Sequence, residues 1–327
     1  MVSIWNMLPK PIFSLAPMED VTDTVLRQIF CITGKPDVFF TEFTNVDGIQ
    51  SHGHDVVARR LLFTQVEHPI VAQIWGMIPE NFYKTAKDLA AKGFDGIDIN
   101  MGCPQHDVTS HGACSALIKN KPLAKEIIEA TKEGVRSASS GQAGELPVSV
   151  KTRIGFKEIA TEEWIGFLLQ QNLDVITVHG RTAAEMSKVP AHWDEIGKVV
   201  ELRNSLAKHT LIFGNGDVQS IAEAKEKVEK YKVDGVMIGR GIFHNPWLFA
   251  GIDPSIKSVK ERLELLQVHV KLFRDTWGNK KSFQILKKYF KVYLSDFEGA
   301  VDMRMKFMET NSYEEALSLA TSLLPSS

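Results

Sequence analysis

Residues 210–241 read TLIFGNGDVQSIAEAKEKVEKYKVDGVMIGRG, and this stretch decides the fold class. Two short apolar runs, 210–213 and 234–238, flank a pattern at 219–231 in which Ala and Val recur at helical spacing among charged residues. A glycine-rich turn follows each apolar run. This order predicts a βαβ unit whose parallel strands are buried on both faces.

Earlier segments of the chain repeat this unit and bring the number of predicted strands to eight. The other strands are predicted at 13–16 (FSLA), 38–43 (VFFTEF), 70–74 (IVAQI), 96–100 (GIDIN), 147–152 (PVSVKT) and 174–178 (DVITV). Between the strands, helices are predicted at 79–92, which starts with a proline, and at 161–172, where Thr161 is a candidate cap. A loop is predicted at 137–146.

The positions of the polar residues along the sequence favour a closed barrel over an open sheet. These residues stand just after predicted strand ends, and a barrel collects all eight C-terminal strand ends at one mouth. An open doubly wound sheet would spread them along a line. We therefore predict an α/β fold, a (β/α)8 TIM barrel.

The strand pattern ends near residue 250. Amphipathic helices are predicted at 258–277, 282–294 and 313–323, so we expect a barrel domain at 1–250 and a small C-terminal helical domain at 251–327. The segment 257–306 has 12 Lys or Arg against 6 Asp or Glu, although the whole chain has a net charge of −2. This basic segment indicates either a polyanion partner or a solvated helical face.

Composition narrows the class of protein. The chain is 44% hydrophobic and 24% charged, as in ordinary globular proteins. We find no charge-free apolar run near the roughly 18 residues of a membrane span, and no signal-peptide pattern at the N-terminus. Three cysteines indicate a reducing compartment. No Cys/His cluster has zinc spacing, so we expect no metal site. We also expect a cytoplasmic protein and, by default, a monomer.

The glycine-rich turns after the last two strands predict a phosphate-bearing ligand. The first turn contains Asn215, Gly216 and Asp217, and the second contains Gly239 and Arg240. In barrels these two loops frequently hold a phosphate, and glycine lets the backbone approach the ligand closely. The alternative is two tight turns that need glycine for a positive φ.

Other polar residues at strand ends suit a ligand ring. Lys151 could hold a phosphate or stabilise negative charge on a reduced ring, although it could also be a surface lysine. Gln73 can donate and accept hydrogen bonds at once. His179 occupies the equivalent position on the sixth strand, although a lone histidine is more often structural.

One cysteine stands apart from the other two. Cys103 follows a glycine and precedes a proline at the predicted mouth, where its thiol could act as a nucleophile or a proton donor. Cys31 and Cys114 are expected to pack in the core.

Six blocks along the predicted barrel resemble the tRNA-dihydrouridine synthase family. They are APMEDVTD (16–23), DGIDINMGCP (95–104), PVSVKTRIGF (147–156), TVHGRT (177–182), FGNGDV (213–218) and DGVMIGRGIFHNPWLF (234–249). The NMGCP and IGRG…NPW segments are the most specific. Related flavin barrels such as dihydroorotate dehydrogenases share the late glycine-rich turns but not the whole set.

The resemblance implies reduction of the C5–C6 bond of selected uridines in tRNA, with FMN as cofactor and NADPH as reductant. Reduced FMN would pass a hydride to C6, and Cys103 would protonate C5. The implied FMN contacts are Pro17, Met18, Glu19, Gln73, Lys151, His179, Asn215, Gly216, Asp217, Gly239 and Arg240. The implied tRNA contacts are Asn100, Arg181, Lys287, Lys288, Lys291 and Arg304.

The sequence departs from the family's pattern at His106 and Asp107 in the loop after Cys103, at Cys114, where a glycine is common, and at Glu19, which replaces a small residue. Two rival functions stay open. One is an FMN-dependent dehydrogenase of a small pyrimidine-like metabolite, and the other is an RNA-binding protein that has lost catalysis.

Overall fold

The computed structural model describes residues 3–138 and 146–324. Its strands all belong to one parallel sheet in the order β1-β9-β8-β7-β6-β5-β4-β2, with β3 also paired to β4. They are β1 (Ile12–Leu15), β2 (Phe39–Phe40), β3 (Thr44–Asn45), β4 (Ile70–Trp75), β5 (Gly96–Met101), β6 (Val148–Arg153), β7 (Val175–His179), β8 (Leu211–Asn215) and β9 (Gly235–Ile238). A parallel bridge between Ser14 and Val38 brings the two ends of the sheet together. The predicted (β/α)8 barrel is confirmed.

The second predicted strand, 38–43, is interrupted. Its first part pairs with β4 as β2 and its continuation pairs with β4 again as β3. Between them, the Gln73 backbone N–H donates to the side-chain oxygen of Thr41 at 3.0 Å instead of to a strand carbonyl. The Glu42 carboxylate accepts from the Asp20 N–H at 2.6 Å. At this point side-chain oxygens replace the backbone carbonyls that normally accept the hydrogen bonds between strands, so the strand divides.

The opposite end of the barrel from the predicted mouth is closed by aromatic packing. Trp5 of the first helix is buried and contacts Phe213 edge-on, with 5.6 Å between ring centroids, and Phe40 at 6.5 Å. Val71 and Val175, near the starts of their strands, belong to the same apolar cluster. Access to the barrel interior is therefore from the C-terminal strand ends.

Helices surround the barrel and continue beyond it. The α-helices are α1 (Ile4–Met7), α2 (Thr24–Thr33), α3 (Val46–Ile49), α4 (His54–Val57), α5 (Pro79–Ala91), α6 (His106–Thr109), α7 (Lys121–Ala138), α8 (Thr161–Leu169), α9 (Trp193–Leu206), α10 (Ile221–Tyr231), α11 (Val259–Trp277), α12 (Phe290–Tyr293), α13 (Ala300–Glu309) and α14 (Tyr313–Ser322). Short 3-10 helices occupy Ala58–Leu61, Gln65–Glu67, Cys114–Lys119, Arg240–Phe243, Leu248–Ala250, Pro254–Ile256 and Phe283–Tyr289.

Several predicted helix ends need correction. The helix predicted at 161–172 ends at Leu169, and its cap position is Ala160. The hydroxyl of Thr161 instead donates to Glu195 at 2.6 Å. Residues 137–138 of the predicted loop belong to α7, and residues 139–145 lie outside the described residues.

The C-terminal helical region, residues 258–324, differs in two places from the predicted three helices. Residues 283–289 form a 3-10 helix, and α13 was not predicted. Phe283, Leu286 and Tyr289 are the buried residues of that 3-10 helix. A spacing of three aligns these residues along one face of a 3-10 helix, and it also keeps them on one side of an α-helix. The division into domains at residue 250 stays a prediction.

This helical region contacts the barrel through polar side chains. The indole of Trp277 donates to Asp23 at 2.8 Å, and the Lys281 ammonium lies 3.0 Å from the same carboxylate. Lys281 also lies 3.9 Å from buried Glu42. One apolar core runs through both parts. No α-helix in the described parts of the chain is long and apolar enough to cross a membrane.

Candidate functional site

A cleft at the C-terminal ends of the strands brings together residues that are distant in sequence. Ten of the predicted site residues line it: Pro17, Met18, Lys151, His179, Arg181, Asn215, Gly216, Asp217, Gly239 and Arg240. Because parallel barrel strands end at one rim, their polar residues converge here. Sequence reasoning missed Ser187, Gln219 and Met237, which also line the cleft.

The cleft is cationic. Burial lowers the pKa of Lys151 to about 8, and nearby Arg153 lowers it too, so this ammonium stays mostly protonated at neutral pH. Burial, followed by the charges of Arg153, Lys151, Arg181 and Arg240, lowers the pKa of His179 well below its usual value. The imidazole is therefore neutral beside several cations, an arrangement that favours an anionic ligand.

Asp217 orients two of these cations. Its carboxylate accepts a hydrogen bond from Arg181 and lies 3.4 Å from Arg240. Burial alone would raise the pKa of Asp217, but the Arg181 hydrogen bond and both guanidinium charges outweigh it and lower the pKa. An ionised carboxylate repels phosphate. We therefore interpret Asp217 as holding the guanidinium groups, not as contacting phosphate through its own side chain.

The glycines in the two turns serve different purposes. Gly216 has φ +134°, and a Cβ there would lie 2.7 Å from the Cβ of Ala191, so the turn itself requires glycine. Gly239 has a negative φ, and its added Cβ would lie 3.6 Å from Ala16 and 3.9 Å from Met18, two residues of the cleft wall. A side chain at Gly239 would occupy cleft space, whereas glycine keeps that space for a ligand.

A hydrogen-bonded chain leads from the barrel interior to Cys103. Gln73 donates to Asp98 at 2.7 Å and accepts from Asn100 at 3.0 Å. The side-chain oxygen of Asn100 accepts from the N–H groups of Gly102 and Cys103, each at 3.0 Å. Gln73 is fully buried with both ends engaged, and neither it nor Asn100 lines the cleft. These two residues position the Cys103 loop.

Asp98 was not identified from the sequence, although a charged residue inside the apolar run GIDIN indicates a buried polar group. It is fully buried, and the Ser149 hydroxyl donates to it at 2.5 Å. Burial raises the pKa of Asp98 to about 6. Arg153, also missed, donates to the carbonyl of Gly102 at 2.7 Å and so holds the same loop from the other side.

Cys103 is partly exposed, and its acidity is perturbed. The neighbouring Cys114 thiol lowers the pKa of Cys103 to about 7 against the opposing effect of burial. Cys114 is fully buried, as expected, and burial raises its pKa well above the usual value. Cys31, expected in the core, is partly buried: it packs against the main apolar core and donates to the Val66 carbonyl at 3.3 Å. The described residues contain no cluster suited to a metal ion.

Glu19 does not line the cleft. Its carboxylate pairs with Arg60 at 2.7 Å, and its charge acts on Cys103. Arg60, in the 3-10 helix Ala58–Leu61, was not identified from the sequence. Glu19 therefore belongs to the Cys103 side of the mouth, and its predicted flavin contact stays a prediction.

A family model described as dihydrouridine synthase (Dus) matches residues 14–325. The chain belongs to the dihydrouridine synthase family. This confirms the resemblance inferred from the sequence and identifies the chain as a flavin-dependent oxidoreductase.

Curated relatives agree with the family match, and a solved structure shares the fold. A probable tRNA-dihydrouridine synthase from Staphylococcus aureus (strain Mu50) is 45% identical over 320 residues, 97% of this chain and 94% of the relative. Probable tRNA-dihydrouridine synthase 2 from Bacillus subtilis is 44% identical over 321 residues, covering 97% and 95%. Histamine dehydrogenase from Rhizobium sp. 4-9 has a TM-score of 0.53 at 14% identity, covering 80% of this chain and 48% of its own. That likeness shows the fold alone.

The predicted tRNA contacts of the helical region lie outside the cleft. Lys287 donates to the Met308 carbonyl at 2.7 Å, and Arg304 donates to the Leu294 carbonyl at 2.9 Å. A lysine ammonium has three donors and a guanidinium has five, so each group keeps donors for a phosphate.

Lys288 joins the helical region to the mouth of the barrel. Its ammonium donates to the carbonyl of Asp20, and the Tyr289 hydroxyl donates to the next carbonyl, that of Val21, at 2.5 Å. Asp20 lies two residues after Met18, which lines the cleft. Tyr289 and Tyr293 are buried, so they are core residues and offer no exposed face to RNA.

Proposed function

We propose that this chain reduces the C5–C6 bond of uridines in tRNA, with FMN as cofactor and NADPH as reductant. The observation that carries the proposal is the position of a cationic cleft and the Cys103 thiol at one barrel mouth in a member of the dihydrouridine synthase family. The names of the Staphylococcus and Bacillus relatives support tRNA as the substrate.

The donor set of the cleft fits FMN. Lys151 and Arg240 would hold the phosphate, because paired cations in a partly desolvated cleft bind a dianion strongly. The space beside Gly239, which a Cβ would fill, accommodates the cofactor against Ala16 and Met18. Once bound and reduced, FMN supplies the hydride that C6 of the uracil accepts.

The protein's own chemical contribution is a proton. Hydride arrival at C6 places negative charge on C5 and the C4 carbonyl, and the Cys103 thiol protonates C5. With a pKa of about 7, Cys103 is protonated in a large fraction of molecules at neutral pH. A positioned general acid typically contributes about 10²–10⁴-fold to the rate. Asn100 holds the Cys103 backbone in place for this transfer.

The helical region would hold the RNA. A uridine inside folded tRNA must leave its stack, which costs a few kcal/mol and less for an unpaired loop base. Phosphate contacts from Lys287, Lys288, Lys291 and Arg304 offset that cost without reading the sequence. Lys288 lies at the loop that leads to the cleft, so these contacts place the RNA beside the mouth. A tRNA substrate fits the predicted cytoplasmic location.

The activity test uses purified full-length protein. We would record its visible spectrum, incubate it with NADPH and unmodified tRNA, and measure dihydrouridine by nucleoside mass spectrometry. Cys103→Ala should retain flavin and lose product by about 10²–10⁴-fold, while the control Cys31→Ala should match wild type. Protein without flavin absorbance contradicts the FMN assignment. Flavin without dihydrouridine contradicts the tRNA assignment and favours the small pyrimidine-like substrate.

RNA binding is tested separately by the salt dependence of tRNA affinity. Removing one phosphate contact should reduce the slope of log affinity against log salt by about one. Lys291→Gln should show this reduction, whereas Lys225→Gln, an exposed lysine on α10, should not. Equal slopes in wild type and Lys291→Gln would place the RNA elsewhere.

A further inference from the structure

Two of the three cysteines lie side by side at the barrel mouth. The backbone N–H of Ser115 donates to the Cys103 carbonyl at 3.3 Å, which brings the two chain segments together. Cys114 belongs to a small buried apolar cluster with Val108 and Ala113, and Cys103 packs against this cluster. The acidity of each thiol is influenced by the other. The proposed proton donor therefore has a second thiol as its neighbour.

The two thiols differ in access to solvent. Cys103 is partly exposed at the mouth, whereas Cys114 is 0% exposed. A dissolved oxidant can reach the first thiol and not the second. Cys114 can react only with its neighbour, which is the arrangement of an attacked cysteine and a resolving cysteine.

The backbone conformation of Cys114 is also unusual. Cys114 has φ +52°, in the left-handed region that side chains other than Asn, Asp and Gly rarely adopt. Such strain persists only where the surroundings enforce it, and it is concentrated at functional sites. Cys114 therefore places its side chain in the cluster beside Cys103 at a conformational cost.

We propose that Cys103 and Cys114 form an oxidation site in which a peroxide oxidises Cys103 and Cys114 closes the disulfide. The Cys103 thiolate attacks a peroxide oxygen, the O–O bond breaks, and the departing hydroxide takes up a proton as water. Cys103 is then a sulfenic acid. The Cys114 sulfur attacks the Cys103 sulfur, the S–O bond breaks, and the Cys114 proton leaves with the hydroxide as a second water. Two thiols are oxidised and one peroxide is reduced to two waters.

The disulfide protects Cys103 from irreversible oxidation. A sulfenic acid without a neighbouring thiol proceeds to sulfinic and sulfonic acids, whereas a disulfide returns to thiols with a reductant. While the disulfide persists, Cys103 has no proton to donate. That loss of dihydrouridine synthesis rests on the proposed function, but the oxidation chemistry does not.

The test is peptide mass spectrometry on the full chain. Purified protein is treated with hydrogen peroxide, quenched, alkylated and digested with trypsin, which leaves both cysteines in one peptide, residues 93–119. In wild type this peptide should lose two hydrogens and carry no alkyl group, and it should gain two alkyl groups after reduction with dithiothreitol. Partly buried Cys31 is an internal control and should stay alkylated throughout.

Two variants decide whether Cys114 acts. In Cys114→Ala, Cys103 should accumulate as sulfinic or sulfonic acid that dithiothreitol does not reverse. Cys114→Gly should behave in the same way, and it relieves the left-handed backbone, so misfolding does not explain the loss of reversibility. Sulfinic Cys103 with alkylated Cys114 in wild type would overturn the proposal. Full recovery by dithiothreitol in both variants would overturn it as well.

The outcome is independent of the test for dihydrouridine synthesis, because it needs neither FMN nor tRNA. If peroxide forms the disulfide but the reduced protein, loaded with flavin, makes no dihydrouridine, the proposed function fails and the oxidation site stands. An active enzyme whose Cys103 oxidises irreversibly would mean the reverse.

Discussion

Replacing Cys114 with alanine should raise the pKa of the Cys103 thiol above about 7, because interaction with the Cys114 thiol is the largest influence that lowers it. A hydrogen bond to a charged group contributes about 1.5–3 kcal/mol. At 1.36 kcal/mol per pKa unit, its loss corresponds to about one to two units. Burial continues to favour the neutral thiol in the variant, whereas water entering the vacated space opposes the shift. We therefore expect about one unit.

The assay is the pH dependence of alkylation by iodoacetamide, which reacts with the thiolate. Wild type and Cys114→Ala are compared in a Cys31→Ala background, which removes the other accessible thiol. Cys114 itself should not be alkylated near neutral pH, because burial raises its pKa well above the usual value and keeps it a thiol. An unchanged midpoint in Cys114→Ala would show that Cys114 does not set the acidity of Cys103, and the reasoning would fail.

Three further predictions concern the reaction, the cofactor and the fold. Dihydrouridine formation in a single turnover should be full below the pKa of Cys103 and fall as pH rises through about 7, because the thiolate has no proton to give; a rate that stays flat across this range contradicts the role. Lys151→Met should weaken FMN binding by about 10- to 100-fold, the effect of losing about 1.5–3 kcal/mol, and unchanged affinity in a flavin fluorescence titration would exclude Lys151 as a ligand. Arg27→Met should lower the free energy of unfolding by about 3–5 kcal/mol in a urea titration, because it leaves buried Glu67 without its partner at 2.6 Å. Lys84→Met, which removes an exposed i,i+4 pair, should change it by less than about 1 kcal/mol, and equal effects would contradict the argument.

The barrel was predictable because its signal is local. Each buried parallel strand is a short apolar run, and each helix repeats its apolar face within a few turns. The division of the second strand at Thr41 and Glu42 was not predictable, because it depends on Gln73 and Asp20, which reach that point only in the folded barrel. The 3-10 helix Phe283–Tyr289 was not predictable from its apolar spacing of three, because an α-helix accommodates the same spacing.

The candidate site was predictable to the extent that strand ends converge in a barrel. That rule, with the family's motifs, placed ten residues in one cleft. It did not distinguish residues that face the cleft from residues that support it. Gln73 and Asn100 lie within the C-terminal halves of β4 and β5, and their hydrogen bonds are directed to Asp98 and to the Cys103 loop. The hydrogen-bond partner of a polar side chain is set by the residues of the adjacent strand, and the local sequence does not show which residues those are.

The contacts that Lys288 and Tyr289 make with the backbone of Asp20 and Val21 have a thermodynamic consequence. They lie just after Met18, so the conformation of this cleft wall is maintained partly by the C-terminal region. An RNA that draws the Lys288 ammonium away changes the free energy of that wall, and linkage requires a cleft ligand to change RNA affinity by the same factor. On the proposed function, RNA binding at Lys288 and ligand binding in the cleft are therefore thermodynamically coupled.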